Sequence, residues 1–472
     1  MPMNAMPMNA ITKSLVSAMS LVLLVGCAAQ PSAPATVAAN PTVAWVQANS
    51  EGGWSVRAAM AGPACPLLAW SAGSKLMQLR VGPSTVATRR PASEIEAKAS
   101  VFAGLVCEAE FPAAVTSVRV GEQVLTAPRF APLRIVLIAD TGCRLKRADR
   151  AYQDCNDSSR WPFAEVARSA AAKRPDLVVH VGDIHYRESP CPAERAGCAG
   201  SPWGYGEDTW QADFFNPAAE LLRAAPWVFV RGNHESCARA GVGWYRYFDA
   251  RAWEPTRSCV EPQHDAQGDF SEPHAVSLSA TSQFIVFDSS ATSAQPYAVD
   301  AAAHRNYLAQ FAQVERLSAR MPHNIFLNHH PVLGFGGSHD GKPKPGNAGL
   351  TSVMQSAHPQ RLFAASIELV LNGHVHLFEA LGFSSDHPAA LVVGNAGSAM
   401  EGWIDEDSAL AAQPTTGAVV QSFATHPDYG FATLDATDGG WRLTAWSVKG
   451  ELLRVCQING ARLTCPRADQ PQ

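Results

Sequence analysis

Beyond its first 26 residues the chain has no apolar run long enough to cross a bilayer as a helix. It has no Cys-x-x-Cys pair, which argues against thiolate zinc sites and dithiol redox motifs. No Gly-x-Ser-x-Gly turn is present to expose a serine nucleophile. No complete glycine pattern of a P-loop or a dinucleotide-binding turn is present either. Charge is sparse: ionised side chains are 17% of the residues and the net charge is −5, so there is no electrostatic case for a nucleic-acid partner. What remains is 472 residues, 47% of them apolar, enough for two or three domains with ample core.

Lys13 precedes the run "SLVSAMSLVLLVG", which is too short for a stable bilayer span and has the shape of a signal-peptide core. It ends in Leu24-Val25-Gly26-Cys27, which resembles the lipobox of bacterial lipoproteins. That resemblance implies a signal peptide over 1–26, lipidation of Cys27, and attachment to a bacterial membrane, the outer membrane facing the periplasm. The Ala/Pro/Ser stretch 27–41 reads as a tether. Removing Cys27 from the eleven cysteines leaves ten, an even number in an export compartment that permits disulfides. Proximity in sequence favours Cys143 with Cys155, Cys191 with Cys198, Cys237 with Cys259 and Cys456 with Cys465; Cys65 and Cys107 remain.

From 42 to 130 short alternating runs such as "TVAWVQA" and "GWSVRAAM" predict a small β-sandwich domain with no catalytic cluster. From 133 to 453 the texture changes to α/β, with 454–472 left as a C-terminal segment. Seven apolar runs, "RIVLIAD", "DLVVHVGD", "WVFVRGNHE", "QFIVFDSS", "NIFLNHHP", "ELVLNGHVH" and "ALVVGNAGS", alternate with Ala-rich helical stretches. Five of the seven run straight into residue types that can bind metals. Sites in layered α/β folds lie beyond the carboxyl ends of strands, where loops converge.

Those strand ends supply Asp140, Asp183, Tyr186, Asn233, His234, His329, His374 and His376. Carboxylate, imidazole and amide oxygen suit hard or borderline cations rather than soft ones. An aspartate can bridge two such ions, and paired ions activate water against phosphate esters.

In order, the motifs D-x-G, G-D-x-x-Y, G-N-H-E, x-x-H and G-H-x-H resemble the calcineurin-like metallophosphoesterases, and the purple acid phosphatase branch among them. The resemblance implies a β-sandwich flanked by helices, a four-layer αββα architecture, behind the small β domain. It implies a first metal held by Asp140, Asp183, Tyr186 and His376, and a second held by Asp183, Asn233, His329 and His374. His234 would face the substrate, binding phosphate or protonating the leaving group. His330 competes with His329 as a ligand, His339 is a candidate substrate contact, and Glu235 is expected to orient its neighbours. His185 reads as a support residue or a surface one. Many relatives carry D-x-H at the first motif; here that position is Gly142, so Tyr186 would complete the first metal's shell. A phenolate favours iron(III) there, with a divalent iron, zinc or manganese as the second ion. The implied activity is hydrolysis of a small phosphate ester by a metal-bound hydroxide, as an acid phosphatase-like monoesterase. Alternatives are a diesterase or nucleotide hydrolase on the same site, or a binding lipoprotein that keeps the fold without the catalysis.

Overall fold

Alternate side chains of each core strand go to different layers. In Arg134–Ile138, Ile135 and Leu137 enter a core between two sheets, while Val136 and Ile138 pack beneath helices on the opposite face. Burial on both faces is why these strands read as unbroken apolar runs rather than as alternations. The computed structural model describes residues 42–88 and 98–467. The expected signal peptide, Cys27 and the tether lie outside the described residues.

Two large sheets face each other. One has eleven strands and contains Arg134–Ile138, Leu177–His180 and Trp227–Phe229 as parallel neighbours. The other has seven and contains Ser282–Val286, His323–Leu327, Ile367–Asn372 and Ala389–Val393, also parallel. Leu137, Val179 and Val228 from the first meet Phe284, Leu327, Leu369 and Leu371 from the second. Helix Phe163–Ala172 covers the outer face of the first sheet through Phe163, Val166, Ala167 and Ala170, an i, i+3, i+4, i+7 stripe. Helix Ala302–Ser318 covers the second through Tyr307, Phe311, Val314 and Leu317. The four layers are the αββα order expected from the motifs.

The N-terminal strands do form a sandwich, but one of its sheets continues into the larger fold. Val43–Ala48, Trp54–Met60, Leu105–Glu110 and Gln78–Val81 extend the eleven-stranded sheet, because Val43–Ala48 pairs in parallel with Trp227–Phe229. A separate four-stranded sheet closes the other side over a core of Val46, Val56, Leu68, Val118 and Val120. The expected end of the α/β region at 453 likewise falls inside a strand, Leu452–Asn459, of the antiparallel run that extends the same sheet at its other edge. All four local cysteine pairs form, and Cys65 bonds to Cys107. Among the described residues no helix is long and apolar enough to cross a membrane.

Candidate metal centre

Parallel register brings the five motif loops to one edge. Ile138 lies opposite His180, Val179 opposite Val228, and Leu327 opposite Leu371. Backbone bonds continue past the strand ends: Asp140 N donates to Gly182 O at 3.0 Å and Thr141 N to Asp183 O at 3.1 Å. Asp140, Asp183 and Asn233 therefore come from the eleven-stranded sheet, and His329, His374 and His376 from the seven-stranded one. Asp140, Asp183 and His374 all have left-handed backbones, with φ of 56°, 55° and 71°. Non-glycine residues seldom hold this conformation unless their surroundings compel it, and it concentrates at functional sites.

Two groups of side chains meet at Asp183. In the first, the Tyr186 hydroxyl lies 2.7 Å from Asp140 Oδ1, 3.0 Å from Asp183 Oδ2 and 2.8 Å from His376 Nε2. One phenolic proton cannot satisfy three acceptors, so this crowd of oxygen and nitrogen lone pairs fits a cation better than a hydrogen-bond network. In the second, Asp183, His329 and His374 each offer a ligand atom, and these atoms all lie within 4.8 Å of one another. His329 Nδ1 is held on Val181 O at 2.8 Å, which leaves buried Nε2 without a proper hydrogen-bond partner, 3.1 Å from Asp183 Oδ2. Asn233 Oδ1 lies 3.1 Å from His374 Nδ1. A second-layer bond on one ring nitrogen and a bare second nitrogen is the usual arrangement of a ligating imidazole.

The electrostatics agree with this grouping. Burial opposes charge on His329, but Asp183 outweighs it and holds the ring up at about 9. His374 goes the other way, to about 4, through burial and the neighbouring His329. Burial, with Asp140 and Asp183 alongside, pushes the Tyr186 phenol well above its ordinary value in the metal-free protein. Asp183 is driven well below the usual carboxylate range: burial works against this, but His329 and His234 overcome it.

The remaining predicted residues sort by contact. His234 lies against Tyr186 with ring centroids 3.8 Å apart and the planes tilted by 38°, and its Nε2 is 3.8 Å from Asp183 Oδ2. His330 turns its Nδ1 to Ser289 Oγ at 3.0 Å, while His329 is the one grouped with Asp183 and His374. His339 is exposed on the loop that bridges to Trp403. His185 is fully buried against Tyr205 and Trp210 with Nε2 2.9 Å from Thr209 Oγ1, so the surface option is excluded. Glu235 accepts backbone N–H bonds from Asp183, Ile184, His185 and Gly232 at 2.9–3.1 Å. It orients the loop carrying Asp183 rather than an imidazole.

Two glycines are explained by close approach. A Cβ on Gly142 would meet Ile184 O at 2.6 Å and Asp213 Oδ2 at 2.7 Å, so no side chain fits at this position. A Cβ on Gly232 would sit 2.1 Å from Asp183 Oδ1, whose place there is set by His234 N donating to it at 2.8 Å. Sequence reasoning missed three residues. Buried Asp213 ties the first two motif loops together by accepting from Cys143 N, Tyr186 N and Arg187 Nε at 3.0, 2.8 and 2.6 Å. Glu188 Oε1 lies 2.7 Å from His234 Nδ1, and Arg239 contacts both Glu188 and that nitrogen. None sits in a motif; only the five-residue step from Asp183 to Glu188 offered a cue.

The calcineurin-like phosphoesterase family model matches residues 133–378, just over half of the chain. Among solved structures, the purple acid phosphatase PPD1 from yellow lupin (Lupinus luteus) seeds is similar with a TM-score of 0.55 and 14% identity, over 92% of this chain and 79% of that one. PhoD is similar with a TM-score of 0.54 and 12% identity, over 93% and 94%. At these identities the likeness is one of fold. No curated protein matches the chain by sequence.

Proposed function

This chain belongs to the calcineurin-like phosphoesterase family, and from that premise we propose that it is a dinuclear metal-dependent hydrolase of phosphate esters, a phosphomonoesterase of the purple acid phosphatase kind. Asp183 carries the reading. Its Oδ2 faces Tyr186 on one side and His329 on the other, at 3.0 and 3.1 Å, so one carboxylate belongs to both ligand groups. Asp140, Asp183, Tyr186 and His376 would hold one ion, and Asp183, Asn233, His329 and His374 the other. When bound, the ions supply Lewis acidity to the phosphoryl oxygens and lower the pKa of the attacking water.

The protein's own part lies with His234. Arg239 and Glu188 both bear on Nδ1, which turns Nε2 toward Asp183. Glu188 accepts from Nδ1–H of the charged ring. The pair therefore keeps the ring in one orientation in both protonation states, with Nε2 always toward the site. From there it binds a phosphoryl oxygen or protonates the departing alkoxide.

The test is metal analysis of the purified protein together with phosphate release from matched aryl mono- and diesters. Two bound ions and faster monoester turnover are expected; a metal-free protein, or one inert on both esters, contradicts the proposal. His234→Ala should keep both ions and lose about 10²–10⁴-fold in turnover, whereas Asp183→Asn should lose metal. Loss of metal in His234→Ala would remove it from the substrate-facing role.

A further inference from the structure

We infer that the leaving-group half of the substrate carries its own anionic group, a phosphate or a carboxylate, received in a basic cavity beside His234. This rests on the phosphate-ester reading above and names the substrate class for that site. The cavity has a volume of about 340 Å³, ample for a sugar- or aryl-sized group, and Glu188 and Arg239 form part of its wall. These are the two residues that touch His234 Nδ1, so the cavity begins one side chain away from the imidazole that handles the leaving group.

Its charge is one-sided. Lys98, Lys146 and Arg239 line it, with Glu188 as the acid among the described lining residues. Glu188 is already engaged with His234 and Arg239. Lys98 Nζ is held by Asp208 at 3.2 Å and by Trp203 O at 3.0 Å, and Lys146 Nζ by Asp149 at 3.1 Å, all outside the cavity lining. Both acids are solvent-exposed or nearly so, and such pairs contribute little and exchange partners readily. Lys98 and Lys146 can thus turn to an incoming anion, while Arg239 stays charged between the dyad and the cavity. Val242 and Tyr205 are also in the lining and add apolar and aromatic surface. A neutral alcohol would leave the lysines on their present partners and gain nothing from them. The reaction is unchanged: water forms the new P–O bond, the ester P–O bond breaks, and the anionic alcohol departs with a proton.

Three aryl monoesters test this with the metal-loaded full chain: 4-carbamoylphenyl phosphate as the neutral isostere, 4-carboxyphenyl phosphate, and 1,4-phenylene bisphosphate. The expected result is a kcat/KM for one or both anionic probes at least about tenfold above the neutral one, falling as salt is raised because the contacts are exposed charges. Which anion leads identifies carboxylate or phosphate. In Lys98→Glu/Lys146→Glu, checked for an unchanged melting temperature, the ratio should drop to about one or below. A wild-type ratio near one, a ratio insensitive to salt, or a ratio kept by a folded double variant overturns the inference while leaving the phosphate-ester reading intact. No phosphate from any of the three overturns both.

Discussion

At the scale of single residues, Tyr186 concentrates the chemistry. Its hydroxyl is enclosed by Asp140, Asp183 and His376, and Gly142 has no room for a side chain. If an iron(III) ion occupies this group, the phenolate gives a ligand-to-metal charge-transfer band and the oxidised protein is coloured. Tyr186→Phe keeps the ring and its contact with His234 but removes the oxygen, so the band should vanish while the melting temperature moves little. Absorption spectra of iron-loaded, oxidised protein decide it; a band that survives in Tyr186→Phe takes the tyrosine out of the ligand set. Glu379 is a second informative residue. It is fully buried, its Oε2 accepts from Phe335 N at 2.9 Å, and its Oε1 has no partner. Burial, only partly offset by that amide, lifts it to about 8 from 4.5. Between those values the folded chain keeps a proton that the unfolded chain has released, so stability should fall as pH rises from about 5 to 8. Glu379→Gln should flatten that slope and be the more stable at pH 8 by about 2–4 kcal/mol, read from denaturant midpoints across the range. Parallel pH profiles for wild type and variant would show the carboxyl to be ordinary.

At the scale of elements, the short helix Gly241–Tyr247 joins the N-terminal strands to the site. It follows the segment that carries Asn233, His234 and Arg239, and its last carbonyls lack helical donors. Two buried arginines from the N-terminal strands supply them. Arg57 donates to Tyr247 O and Asp249 O, both at 2.7 Å, and Arg80 to Tyr245 O at 2.9 Å. Positive charge also suits the negative end of a helix. Arg57→Ala would strand buried carbonyls and should cost about 2–4 kcal/mol, measured as a lowered unfolding midpoint. Arg57→Lys should recover only part of it, because an ammonium cannot span two carbonyls as a guanidinium fork does. An unchanged midpoint in Arg57→Ala would show that this join carries no stability. None of this was legible beforehand: arginines in alternating strands read as solvent-facing, and their partners lie 165 to 192 residues away.

At the scale of the whole molecule, five disulfides accompany the export signal read at the N-terminus. We propose that Cys27 anchors the protein to a bacterial membrane. The wild type should then sediment with membranes, while Cys27→Ser is released or left unprocessed; identical soluble fractionation of both removes the anchor.

The sequence alone determined seven core strands of the α/β region and two of its helices, the residue types at the strand ends and the four short-range disulfides. Each of these is written locally, in apolar runs, in the loop that closes a strand, and in cysteines separated by 7 to 22 positions. Tertiary structure decided what faces what across long separations. The ring of His329 is set by a carbonyl 148 residues earlier, and the first two motif loops by Asp213. It also decided that the N-terminal sandwich shares a sheet with the larger fold, and that Glu188 and Arg239 stand behind His234. A loop side chain carries no periodicity, so its partner exists only once the parallel strands of two sheets have brought their ends to one edge.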